Sequence, residues 1–192
     1  GSVPTEDIIG TIAGLVQEGK VRHIGVSEIT PGQLREANSI YRISALEIGY
    51  SLADRQIESE LLPAAKELGI AVVAFANTAE GLLMGDLQLP LPAEDYRNHF
   101  SRFQGDNLIH NLEKVDVLKE MARSKGVTPP QLAIAWVKEQ GENFMPLVSM
   151  SRRSRLPENI AAMDIVFTTE EMNILNSTFA AGAFKGSTYL ER

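Results

Sequence analysis

A chain of 192 residues, 44% hydrophobic and of mixed charge, has enough apolar material for one folded domain with its own core. Its formal charge of -7 argues against a nucleic-acid surface, because phosphate binding rests on broad positive charge. The absence of cysteine excludes a disulfide framework, a thiol nucleophile and cysteine-held metal.

His23, His99 and His110 are scattered without ligand spacing, so no metal site is expected. No apolar run approaches the roughly 18 residues of a membrane span, and no secretory leader pattern opens the chain, so a cytoplasmic location is expected. Gly1-Ser2 reads equally as a cloning scar or as native residues.

The hydrophobic period switches repeatedly between helical and strand-like. "PTEDIIGTIAGLVQEGK" predicts an amphipathic helix with Thr5 as N-cap, apolar Ile8, Ile12, Leu15 and Val16, and Gly19 at its end. "VRHIGVSE" predicts a short strand, and "TPGQLREANSIY" a helix capped by Thr30 with Pro31 at its first position. "SALEIGY" is the next strand. "QIESELLPAAKELG" reads as a helix with Leu61, Leu62, Ala65 and Leu68 on one side. "IAVVAFAN" is uniformly apolar and predicts a strand covered on both faces.

From 77 to 106 periodicity disappears, and a loop that long inside a compact domain is usually functional or mobile. Two helices follow, "NLIHNLEKVDVLKEMARSKG" and "TPPQLAIAWVKEQG", the second capped by Thr128, with Trp136 expected in the core. "FMPLVSM" is a fourth strand, "LPENIAAMD" a short helix, and "TTEEMNILNSTF" a last helix capped by Thr168 or Thr169. No linker or low-complexity segment divides residues 1–192.

Four strands alternating with helices predict an α/β fold with parallel strands, either half of a (β/α)8 TIM barrel or an open doubly wound sheet. No G-x-G-x-x-G follows any strand, which disfavours a dinucleotide fold of that second type. One local feature stands apart from this pattern. "SRRSRLPENIAAMD" concentrates three arginines in five residues of an acidic chain, where a solvated surface and an anion site are both open.

"VPTEDIIGTIAGLVQEGKVRHIGVSE", "YSLADRQIESELLPAAKELGIAVVAF", "GVTPPQLAIAWVKEQG" and "RLPENIAAMDIVFTTEEMNIL" together resemble the C-terminal half of the aldo-keto reductase family. The resemblance covers nearly the whole chain in order. It implies a partial (β/α)8 barrel, here a half-barrel of about four strands, in an NADP(H)-dependent oxidoreductase that reduces aldehydes or ketones. In that family an Asp, Tyr, Lys, His tetrad moves the proton, and all four come from the N-terminal half. None of Tyr41, Tyr50, Tyr96 or Tyr189 matches the catalytic tyrosine's motif, so no catalytic residue is assigned and this chain alone is expected to be inactive.

The resemblance also implies cofactor residues. "GVSE" keeps Ser27, whose hydroxyl would bind the nicotinamide carboxamide, and Glu47 stands where a glutamine usually serves the same amide. Phe75 replaces the tyrosine that stacks on nicotinamide. Its continuation "FANTAEG" departs from the family's "Y-S-P-L-G-R-G", with Ala76, Asn77 and Glu80 in place of serine, proline and arginine.

"LVSMSRRSRLPEN" aligns with the segment that holds the adenosine 2'-phosphate. It puts Arg155, Glu158 and Asn159 at the phosphate and adenine, with Arg152 assisting and the short helix's N-terminus adding favourable potential. Ser149 and Met150 stand where the family has glycine or lysine and then a small hydroxyl residue.

Three readings follow: part of a complete carbonyl reductase, a nucleotide-binding half-barrel without turnover, or a structural and oligomerisation module. An isolated half-barrel exposes two strand edges and an apolar sheet face, so self-association is expected.

Overall fold

The computed structural model describes residues 3–187, so Gly1-Ser2 and Tyr189 lie outside the described residues. Four strands form one parallel sheet in the order β1 (Ile24–Ser27), β2 (Ile43–Gly49), β3 (Ala71–Phe75) and β4 (Phe144–Pro146). Parallel neighbours need crossovers, and helices supply them: α1 (Thr5–Gln17) precedes β1, α2 (Pro31–Ile40) joins β1 to β2, and α3 (Leu61–Glu67) joins β2 to β3. Between β3 and β4 the crossover is double, α4 (Gly105–Lys125) and α5 (Pro129–Lys138). α6 (Arg155–Ala161) and α7 (Thr169–Thr178) follow β4.

Capping fixes several of these starts. The Thr30 hydroxyl accepts from Gln33 N while the Gln33 side chain accepts from Thr30 N, and Thr168 makes the same reciprocal pair with Glu171, so Thr168 is the cap of α7. Thr5 is not the cap of α1: extended Pro4 holds that place without a side-chain bond, and Thr5 is the first helical residue. The expected helix over 56–69 is interrupted. A continuous helix would drive the Pro63 ring into the Ser59 carbonyl. The chain instead makes a 3-10 turn at Gln56–Glu58 and begins α3 at Leu61, so Pro63 sits in the first turn, where no amide has an intrahelical acceptor.

β3 corrects a second expectation. Its side chains alternate, with Val72 and Ala74 buried and Ala71, Val73 and Phe75 half-buried, so one face is open. Among the described residues helices cover only the outer face. One core packs Leu34, Leu46, Ala64 and Val72 beneath α1 to α3; the other surrounds Trp136 beneath α4, α5 and α7. The inner face carries Met145 and Leu147, 48% and 47% exposed. β4 is shorter than expected because it is an edge strand. Leu147 N donates to Ala74 O and Val72 N to Asn143 O, so odd-numbered residues face β3, and Pro146 needs no donor on the free side.

The long segment after β3 is packed rather than irregular. It forms 3-10 turns at Leu82–Met84, Tyr96–His99 and Ser101–Phe103, and buries Leu82, Leu83, Arg102 and Phe103. Arg102 meets Asp54 at 2.6 Å, both 2% exposed, which ties this segment to the turn after β2.

Trp136 is fully buried, 5.2 Å from the Tyr50 ring and 4.9 Å beneath the Arg55 guanidinium. Trp136→Ala is expected to cost about 3–5 kcal/mol in urea unfolding. A loss under about 1 kcal/mol would contradict this core.

Candidate functional site

Because all strands run one way, Ser27, Gly49, Phe75 and the residues after Pro146 lie at one edge of the sheet. That edge also gathers backbone strain. Glu28, Ala76, Ala79 and Glu80 adopt left-handed conformations with φ of 53°, 55°, 49° and 56°. L residues adopt them only where surrounding structure imposes them, which is common at ligand sites.

A cleft of about 520 Å³ opens at the β3 and β4 end of this edge. Phe75, Asn77, Thr78 and Glu80, from the end of β3 onward, line it together with Leu147, Ser149, Arg155, Glu158 and Asn159, which follow β4, and with Pro130, Ile134 and Tyr96. Both contributing segments are anchored. The Asn77 amide donates to Ala74 O at 2.9 Å and Tyr50 O at 3.3 Å, which orients the side chain. Its buried Oδ1 has no partner among the described residues. On the β4 side, Glu158 Oε1 accepts from the Thr128 hydroxyl at 2.8 Å, and Glu158 O accepts from Gln131 Nε2 at 2.9 Å, fastening α6 to the start of α5. Half-buried Arg155 makes no ion pair among the described residues.

Glu80 is the unusual group of the cleft. Burial and then the nearby Asp54 push its carboxyl up to about 7, against the opposing pull of Arg102 and Arg97. Its carbonyl accepts from Arg97 Nη1 at 3.1 Å, which holds the loop, while its buried Oε2 has no hydrogen-bond partner among the described residues.

Five residues singled out in the sequence, Phe75, Ser149, Arg155, Glu158 and Asn159, thus meet in one cleft. Ser27 and Glu47 are exposed register partners on β1 and β2, farther along the same edge and outside the cleft. Arg152 is exposed and also outside it. α6 has seven residues and Ser154 before it is already helical, so its end offers no separate cap, and the cleft depends on side chains. Sequence reasoning missed Tyr96, which lies in no motif, and the walls supplied by Pro130 and Ile134 on α5. It singled out Asn77 and Glu80 only as departures from a pattern.

A second cleft, about 740 Å³, lies between α3 and the end of α5. Its floor is a closed polar network: the Tyr50 hydroxyl donates to Glu58 Oε1 at 2.7 Å, and Arg55 reaches both Glu58 oxygens at 2.7 and 3.1 Å. Burial, reinforced by Glu58, raises the Tyr50 hydroxyl well above the usual phenol range, so this tyrosine is a poor acid. Among the described residues no helix is long and apolar enough to cross a membrane.

Comparison with solved structures finds the same architecture. The glycerol dehydrogenase of Gluconobacter oxydans superposes with a TM-score of 0.87 at 24% identity, over 93% of this chain and 55% of that one. A thermostable aldo-keto reductase solved with the inhibitor epalrestat gives a TM-score of 0.72 at 26% identity, over 92% of this chain and 55% of that one. The chain therefore spans about 55% of the length of these solved relatives, and its open sheet is a partial (β/α) barrel. The model of the aldo/keto reductase family matches residues 1–179, and the chain belongs to that family.

Proposed function

We propose that this chain is the nucleotide-side part of an NADP(H)-dependent oxidoreductase acting on aldehydes or ketones in the cytoplasm. The observation that carries this reading is Arg155, a half-buried cation without an ion pair among the described residues, in one cleft with Ser149 and Asn159. A guanidinium offers a planar fork of donors to phosphate oxygens, so these residues fit a 2'-phosphoadenosine. The order Ser27, Glu47, Phe75, cleft runs across the strand ends over three inter-strand spacings, roughly 14 Å. This suits an extended dinucleotide.

When bound, the cofactor supplies hydride to a carbonyl carbon. In this reading Ser27 and Glu47 hold the carboxamide, Phe75 offers a ring face to the nicotinamide, and Asn159 with the second Glu158 oxygen borders the adenine. The proton-transferring tetrad is assigned to no residue of this chain: the Tyr50 hydroxyl is spent on Glu58, away from the cleft.

One observation favours a second reading, a half-barrel without turnover that associates through its inner face. Met145 and Leu147 stand nearly half exposed there, beside half-buried Val73 and Phe75. Burial of such a face is favourable at about 25 cal/mol per Å².

Two measurements test these readings. Fluorescence titration of the chain with NADPH should saturate, and Arg155→Ala should weaken it by about 10- to 100-fold, the loss of one charge-assisted contact. NADH binding should change far less, and no saturable NADPH binding at millimolar cofactor rejects the cofactor reading. Sedimentation should show a dimer, and a monodisperse monomer counts against association through the open face.

A further inference from the structure

The cleft that holds Arg155 also holds a carboxyl group. Glu80 lines the cleft with one carboxyl oxygen buried and without a hydrogen-bond partner among the described residues. Its backbone is held in place: Glu80 and Gly81 adopt left-handed conformations, φ 56° and 90°, and Arg97 donates to the Glu80 carbonyl.

The charged groups around it come from three directions. Behind it, Asp54 in the turn after β2 pairs with Arg102 at 2.6 Å. Beside it, Arg97 is held by Asp95 at 2.7 Å, with the Tyr96 hydroxyl adjacent. Arg155 and Glu158 line the same cleft, the latter held by Thr128. Arg102 and Arg97 thus each have an aspartate partner besides their pull on Glu80. An ionised Glu80 adds negative charge to the partly desolvated lining of the space into which a phosphate-bearing ligand must come.

We infer that Glu80 is the ligand-selecting residue of the cleft and makes nucleotide binding proton-linked: a phosphate-bearing nucleotide enters with Glu80 neutral. The proton comes from solvent and rests on the Glu80 carboxyl, and no bond of the ligand changes. Like charges at close range disfavour joint ionisation, so the entering anion raises the affinity of Glu80 for its proton. The carboxyl is already held up to about 7 in the free protein, chiefly by burial, so uptake falls near neutral pH. Above that pH the ionised cleft turns anions away, and the phosphate affinity conferred by Arg155 is reduced. This inference rests on the nucleotide reading of the same cleft.

The test is calorimetric titration of the chain with NADPH at pH 7 and pH 9, and at pH 8 in two buffers of different ionisation enthalpy. The expected Kd rises at least about tenfold from pH 7 to pH 9, and uptake at pH 8 approaches about one proton per nucleotide. Glu80→Gln should abolish the uptake, flatten the pH dependence and bind more tightly than the parent at pH 9. NADPH binding with no proton uptake and equal affinity at both pH values overturns the role of Glu80 and leaves the nucleotide reading standing. Absence of saturable binding in both proteins overturns both.

A ligand-free measurement bears on the same carboxyl. Its folded value lies above the ordinary 4.5, so the folded state holds more protons between those values, and the Glu80 contribution to stability falls as pH rises from about 4.5 to 7. The thermal midpoint of the parent should therefore drop relative to Glu80→Gln across that window, and parallel curves count against a buried Glu80. If the variant does not fold, proton uptake by the parent alone decides.

Discussion

Parallel strand pairing is the constraint from which the rest of the molecule follows. Each parallel neighbour requires a crossover, and the helical crossovers here pack on a single face of the four-stranded sheet. All strand C-termini consequently meet at one edge, and the inner face is left open. The edge collects the strained residues and the cleft, while the inner face presents Met145 and Leu147 beside Glu47.

The buried Asp54–Arg102 pair connects fold to site. It fixes the segment after β3 against the turn after β2, and Arg97, on the same segment, holds the Glu80 loop through its carbonyl. The pair also shapes the electrostatics of the cleft. Arg102 pairs with Asp54 and Arg97 with Asp95; both cations pull the Glu80 carboxyl down, and desolvation together with Asp54 outweighs them. A cleft lined by both Arg155 and Glu80 is suited to selecting charge rather than merely attracting it.

Much of the fold was legible in the sequence because local rules and tertiary packing agree. Thr30-Pro31 and Thr168 start helices by capping, and Gly126 ends α4 in a left-handed conformation that glycine adopts without strain. Where local and long-range effects conflict, the sequence misled: Pro63 splits an apparently continuous helix, and β3 reads as wholly buried although one face is open. An apolar run shows what a strand could bury, not what covers it.

The site was legible to the extent that motif residues converge. Phe75 and Arg155, far apart in the chain, line one cleft because β3 and β4 are neighbours. Glu80 was visible only as a departure, since its burial and its neighbours Asp54 and Arg97 arise from three separate segments. The most direct measurement is hydrogen exchange of the chain with and without saturating NADPH. A nucleotide site at the C-terminal edge predicts slowed exchange in residues 75–81 and 147–159. Protection centred on 56–66 and 140–144, around the second cleft, would contradict it.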